Sequence, residues 1–315
     1  MSAKDRRSGL LSVIVPARND AVSTRECLSS AINSLDALNL QCEFVLIDDA
    51  SDPTDGIPQV FKEIRTAAPQ HQFKIVRAKE RLHYTGVFSL GIHLSVKEKV
   101  FFLSNDMVIT PQFFVAVLGV AALSRDFGIV RGTSNYCDSH PEHAVGPPPN
   151  FLRRYTDVVS FSRSIFEING LAFTEDRVLS GDAVLISRSL IDRIGVLDLR
   201  FFGYFGDVDY GLRAHLAGFK LVCAKGAWLW HKGAGHVKAE AIKKKQELSS
   251  SHSERMKMVE NAYQAFRQKW DTSLPATYAQ LGSLHLFPTA EKNAARIEDL
   301  KYQFPAETRS AYEIL

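Results

Sequence analysis

The sequence predicts an α/β protein built on a mostly parallel sheet flanked by helices, and three observations carry that prediction. The first is LLSVIVPA at 10–17, a continuous apolar and β-branched run of the kind a strand buried on both faces requires. The second is the rhythm that follows, strand-like runs alternating with helical stripes as in βαβ units with right-handed crossovers. The third is where the polar residues fall. Arg18 to Asp20, Asp48 with Asp49, and Ser104 to Asp106 each stand at the carboxyl end of a predicted strand, and that rim is where such sheets bind ligands.

Taken in order, the first strand ends at Pro16 and Ala17 and gives way to the Arg18-Asn19-Asp20 loop. Ser23 with Glu26 has the spacing of a capping box, and Cys27, Leu28, Ala31, Ile32, Leu35 and Leu38 continue a helical stripe. CEFVLIDDAS is the second strand, residues 57–67 suit a helix, FKIVRA is a third strand and 85–97 another helix. VFFLSNDMVIT carries the next strand out to Ser104, Asn105 and Asp106; a helix follows Pro111 to about Leu123, and FGIVRG is a further strand. Residues 133–150 hold many turn formers and read as a long solvated loop, suited to a lid, with His140 and His143 lacking a third ligand at any known metal spacing. LSGDAVLISRSLIDRIG gives a short strand headed by Asp182 and a helix from about Ser187. Beyond His236 the chain becomes charge-rich and helical, interrupted at SSSHS, with Met256, Val259, Ala262, Tyr263 and Phe266 forming a stripe able to pack on the core.

The bulk properties exclude several classes. A formal charge of +3 on 315 residues is too weak to argue for nucleic acid. The longest apolar run, at 113–123, is too short to span a bilayer, although the basic stretch KAEAIKKKQ admits peripheral contact with acidic lipid. Four cysteines without C-x-x-C pairing fit a reducing compartment, so a cytoplasmic location is expected. Neither G-x-G-x-x-G nor G-x-x-x-x-G-K-[ST] occurs, which disfavours dinucleotide oxidoreductases and P-loop phosphotransferases. Any nucleotide bound here needs another counter-charge for its phosphates.

The richest stretch is FFGYFGDVDYGLRAHLAGFKLVCAKGAWLWHKG at 201–233. Asp207 and Asp209 precede a short helix stopped by Gly218, and a strand then returns His231 towards the start of that helix. Acidic residues at a helix N-terminus also serve as caps. The residues alone therefore leave two readings open, a capped helix or a site in which a proton-accepting carboxylate and a metal-binding imidazole face one cleft. Asp106 and His231 together supply oxygen and nitrogen ligands suited to Mn²⁺ or Mg²⁺ arriving with a diphosphate.

In order and spacing, SVIVPARND, LIDDASDPT, FLSNDMVITPQF, the long segment SGDAVLISRSLIDRIGVLDLRFFGYFGDVDYGLRAHLAGF, and WLWHKG resemble the family 2 glycosyltransferases of the GT-A fold, in the rhamnosyltransferase-like branch. The resemblance covers about 10–236, with a weak extension to QKW at 268–270. It implies an inverting, metal-dependent transfer of a sugar from a UDP- or dTDP-linked donor to a hydroxyl of a glycan, lipid-linked or protein-linked saccharide. Asp207 is then the base, Asp106 and His231 hold the cation, and Pro16, Ala17, Arg18, Asp49, Arg81, Ser104, Asn105 and Asp106 face the donor. Asp182, Asp209 and Arg213 lie on the acceptor side or behind it. It also implies an unordered 1–9, a catalytic domain at 10–236 and a helical extension at 237–315. Ser104 replaces the first acid of the family's D-x-D segment, and Gly206 replaces the acid often found before the base. Those departures leave a catalytically silent sugar- or nucleotide-binding module as the alternative.

Overall fold

The computed structural model describes residues 10–137, 140–147, 152, 154–233, 248–271, 273–281, 300–305 and 311–315. The predicted N-terminal segment 1–9, the basic stretch at 238–246 and most of the tail after residue 281 lie outside them. Strand β1 (Leu11–Ala17) runs through the middle of the sheet, buried along almost its whole length. It pairs in parallel with β2 (Glu43–Asp48) on one side and β4 (Lys99–Leu103) on the other, and β2 pairs in parallel with β3 (Gln72–Ala78).

Beyond β4 the sheet changes sense. Strand β8 (Ala183–Ser187) lies antiparallel between β4 and β6 (Phe127–Ser134), and β6 is parallel to the long β9 (Lys220–His231). Two short strands, β5 (Met107–Val108) and β7 (Phe173–Asp176), pair antiparallel with β9. The sheet is therefore mixed: it is parallel from β3 to β4 and again between β6 and β9, and β8, which arises after β6 in the chain, turns back to separate β6 from β4. At the opposite edge β10 (Tyr312–Ile314) adds antiparallel to β3, so the tail contributes a strand as well as helix.

Alternation along β1 divides the core. Val13 and Val15 face α1 (Ala21–Ala37), α2 (Ile57–Ala67) and α4 (Pro111–Leu123). Ile14 faces the opposite layer, α3 (His83–Leu94), α6 (Arg188–Ile194) and α7 (Gly206–Leu216). Helix α5 (Tyr155–Asn169) covers Trp228 with Val158, Phe161 and Ile165. Helix α8 (Leu248–Trp270) and the short α9 (Tyr278–Leu281) pack Val259, Ala262, Tyr263, Phe266, Trp270 and Leu281 on Phe201, Phe205 and Leu212.

Several local expectations are corrected. Helix α1 is capped by Asp20, whose carboxylate accepts the Ser23 N–H at 3.0 Å; Glu26 instead reaches Lys232. Helix α3 stops at Leu94, and Lys97 lies in a buried turn where its N–H meets the Ser12 hydroxyl. The strand predicted over 100–110 breaks at a turn, with Met107 N–H donating to the Ser104 carbonyl between β4 and β5. SSSHS itself is helical as the start of α8, which begins at Leu248, and the charge-rich residues before it lie outside the described ones. Among the described residues no helix is long and apolar enough to cross a membrane.

One packing constraint gives a stability prediction. Glycine inside a helix is normally weaker than alanine, but a Cβ at Gly91 would stand 2.3 Å from Ile14 Cγ2 and 2.8 Å from Ile14 Cδ1. Gly91→Ala is expected to destabilise the fold by about 1–3 kcal/mol through overpacking, read as a lower urea midpoint with an unchanged m-value.

Candidate active site

The loops after β1 and β2 are knitted into one rim. Arg18 Nη1 donates to the carbonyls of Asp49 and Ala50, each at 2.6 Å, and the Ala17 carbonyl beside Pro16 accepts the Asp49 N–H. Asn19 Oδ1 accepts the Asp52 N–H at 2.7 Å. The Asp49 carboxylate is buried and accepts the N–H groups of Leu82 at 2.5 Å and His83 at 3.2 Å. Burial raises its carboxyl above the usual range, against the pull of the Leu82 amide and of Arg18 and Arg81. Asn19, Ala50 and His83 hold left-handed φ values of 52°, 50° and 56°. Backbone strain of this kind persists only where the surroundings over-determine it and concentrates at binding sites.

The second group sits where β4 and β9 end. Pairing of β5 with β9 sets Met107 opposite His231 and brings Asp106 Oδ2 to 3.3 Å from His231 Nε2. The backbone of His231 is fixed by Asn135, whose side-chain oxygen accepts its N–H at 2.6 Å and whose amide donates to its carbonyl at 2.9 Å. The Lys232 N–H donates to the Asp106 carbonyl at 3.0 Å. Burial opposes the imidazolium, but the hydrogen bond and charge of Asp106, with Asp182 beyond, outweigh it and raise the ring above its ordinary value. Two ligands held about 2.1 Å from one ion stand roughly 3.0–3.4 Å apart, so the pair has the spacing of one edge of a divalent cation's coordination shell.

The third group is centred on Asp207 in the first turn of α7. Its Oδ2 accepts the Gly181 N–H at 3.1 Å and its Oδ1 the Val208 N–H at 2.9 Å. Burial and the like charge of Asp182 push the Asp207 carboxyl up to about 6 despite those amides. Tyr84 donates its hydroxyl to the Gly181 carbonyl at 3.0 Å, and a Cβ at Gly181 would stand 1.7 Å from that hydroxyl oxygen and 3.1 Å from Asp207 Cβ. Asp182 joins the groups. Its carbonyl accepts the Ser104 N–H at 2.9 Å, and its charge acts on both His231 and Asp207. Sequence reasoning missed Tyr84, Gly181 and Asn135; the one available signal was a glycine directly before Asp182.

Other predicted residues lie elsewhere. Asp209 and Arg213 are wholly enclosed, with Arg213 Nε donating to Asp209 Oδ2 at 2.8 Å. The Asn105 side chain turns towards α1 and donates to Thr24 Oγ1 at 2.9 Å. His140 and His143, expected in a solvated loop, are buried, and with Asp176 they place ligand atoms within 4.8 Å of one another. Such a set could coordinate a divalent cation. In the observed arrangement Lys225 Nζ donates to His143 Nδ1 at 3.2 Å, which leaves Nε2 as the protonated nitrogen donating to Asp176 at 2.7 Å.

The environment of Asp207 fixes a sign for pH. Between its ordinary value of 3.8 and the raised one near 6, the native chain keeps a proton that the unfolded chain has lost, so this group's contribution to stability falls as pH rises. Asp207→Asn removes the buried charge while one of the two amide bonds survives. Urea unfolding is expected to show a gain of about 1–2 kcal/mol at pH 8 and none at pH 3.5.

Residues 12–195 match the model of glycosyl transferase family 2. Uncharacterized proteins of Mycobacterium tuberculosis and Mycobacterium bovis are 28% identical over 160 residues, 49% of this chain, and the chain spans 55% of their length. Among solved structures, the chain is similar to a mannosyltransferase of Pyrobaculum calidifontis in complex with GDP-Man and Mn²⁺, with TM-score 0.52, 17% identity, and coverage of 81% of this chain and 70% of that one. It is also similar to TarS of S. aureus, with TM-score 0.50, 15% identity, and coverage of 74% and 38%. The mixed α/β sheet with its C-terminal helical region is the GT-A fold. The chain belongs to glycosyl transferase family 2.

Proposed function

We propose that the chain is an inverting glycosyltransferase that moves a hexosyl or deoxyhexosyl unit from a nucleotide-diphosphate donor to a saccharide hydroxyl. The observation that carries this reading is Asp182, a residue whose charge acts on both the Asp106–His231 pair and Asp207. Arg18 and Arg81 form the cationic side of the donor rim; Ser104 and Asp106 face it from the turn after β4, and Asn105 supports that turn through Thr24. Asp106 and His231 would hold Mn²⁺ or Mg²⁺, which when bound neutralises charge on the departing diphosphate. The rhamnosyltransferase-like motifs and a UDP- or dTDP-linked donor belong to this proposal.

Asp207 receives the proton of the acceptor hydroxyl. A carboxyl raised to about 6 is mainly ionised at pH 7 and still holds a proton better than an ordinary carboxylate, which is the compromise a general base needs. One carboxylate suffices, because inversion is a single displacement with no nucleophile on the opposite face.

A panel of UDP-, dTDP- and GDP-linked sugars, each with and without Mn²⁺, is expected to contain a donor that raises the melting temperature only when metal is present. Asp207→Asn should keep that shift while turnover falls about 10²–10⁴-fold. Asp106→Ala and His231→Ala should lose the metal-dependent shift. Turnover in the parent chain should fall about tenfold per unit as pH drops below 6, because the protonated carboxyl accepts nothing. Retained turnover in Asp207→Asn overturns the assignment of the base.

A further inference from the structure

The cluster that carries an inference lies behind Asp207, in the charges the proposed chemistry leaves unused. Asp209 Oδ1 accepts from Lys269 Nζ, and from Trp270 Nε1 at 2.9 Å, while Oδ2 is held by Arg213. Lys269 also donates to Asp198 Oδ2 at 2.9 Å, and Asp198 is gripped by Arg200 through both carboxylate oxygens. Arg213 completes the knot by donating to the carbonyls of Ile194, Val196 and Leu300. An enclosed carboxylate needs this complement, since an unpaired buried charge costs several kcal/mol.

The pattern has a direction. Asp207 is flanked two residues earlier by Phe205 and two residues later by Asp209. Phe205 holds a left-handed φ of 64° without being glycine. Its ring is wedged among Tyr263 and Phe266 of α8 and Tyr278 of α9. Asp209 is seized by the last two residues of α8. Both flanks of Asp207 are thus gripped from the C-terminal helices, outside the 12–195 region matched by the family model.

We propose that Lys269 and Trp270 are positioning residues that hold the first turn of α7 so that Asp207 stays against Gly181 and towards the incoming hydroxyl. This rests on the transferase reading for its catalytic half and on geometry alone for its structural half. Neither residue touches a reacting atom; they act through Asp209. The groups facing Asp207 are Asp182 and Tyr84, and those facing Asp209 are Arg213, Lys269 and Trp270.

Trp270→Phe keeps the ring and deletes only the Nε1–H donor, Lys269→Met keeps the stem and deletes the charge, and Lys269→Arg is the conservative control. The first measurement is the gain in melting temperature that Asp207→Asn gives in each background at pH 8 relative to pH 3.5. The gain should shrink to about half or less in Trp270→Phe and Lys269→Met, because a loosened Asp207 reaches water, and survive in Lys269→Arg. The second is nucleoside diphosphate release from UDP-glucose, dTDP-glucose and GDP-mannose with Mn²⁺. Here kcat should fall roughly tenfold or more with KM within about twofold, and the pH inflection should move down. If the parent chain releases nothing from any donor while the first measurement behaves as expected, the transferase reading fails and the clasp stands. An undiminished Asp207→Asn gain, a rise in KM with kcat intact, or a Trp270→Phe chain that does not fold overturns the clasp.

Discussion

Much of the structure follows from keeping one ionisable carboxylate where water is scarce. Asp207 has two backbone N–H donors and the like charge of Asp182 beside it. Desolvation and a like charge both favour the neutral acid, whereas the two amides favour the anion. The balance near 6 is therefore not a property of α7 alone. It requires the turn before β8 to present the Gly181 N–H and to hold Asp182 close.

That requirement accounts for the change of sense in the sheet. If β8 had continued the parallel order, its carboxyl end would lie at the rim and Gly181 and Asp182, which precede it, would lie at the far edge. Antiparallel insertion between β4 and β6 reverses the strand and puts its start beside the end of β4. The register sets Leu103 opposite Ala183, and the next step is the Ser104 N–H donating to the Asp182 carbonyl. The Asp106–His231 pair and Asp207 come from distant parts of the chain, and this one strand reversal joins them.

The sequence made the central βαβ region legible because its signals are local: a fully apolar strand, helical stripes, polar residues at strand ends. Helix α5 carries a comparable stripe in Val158, Phe161 and Ile165 but was hidden behind breaker-rich residues 133–150. The antiparallel sense of β8 was not readable, since a five-residue apolar strand looks the same in either direction. His140 and His143 misled because a polar, proline-rich segment predicts solvent, and tertiary partners make their burial tolerable, the Val178 carbonyl for His140 and Asp176 with Lys225 for His143. Asp106, His231 and Asp207 were legible as candidate residues because their segments are distinctive. Asp209 stands two residues from Asp207 in sequence, yet the two carboxylates point to different sides of a helical turn, Asp207 towards Gly181 and Asp209 towards Arg213, Lys269 and Trp270.

Gly206 shows how a departure from a family pattern acquires a physical meaning. Read as a sequence, the glycine is a missing acid beside the candidate base. In the structure a Cβ there would stand 2.6 Å from Thr85 Oγ1 and 3.0 Å from Thr85 Cγ2, and that hydroxyl is committed to the Phe201 carbonyl. Thr85 and Gly206 therefore form a coupled pair: α3 approaches the first turn of α7 closely because one side of the contact has no side chain. The same approach carries Tyr84, one residue earlier, onto the Gly181 carbonyl. An acid at 206 would have to displace Thr85, and with it the helix that presents Tyr84. Its absence also leaves Asp182 as the acidic neighbour whose charge raises Asp207, so the close helix contact and the moderate carboxyl shift have a common origin.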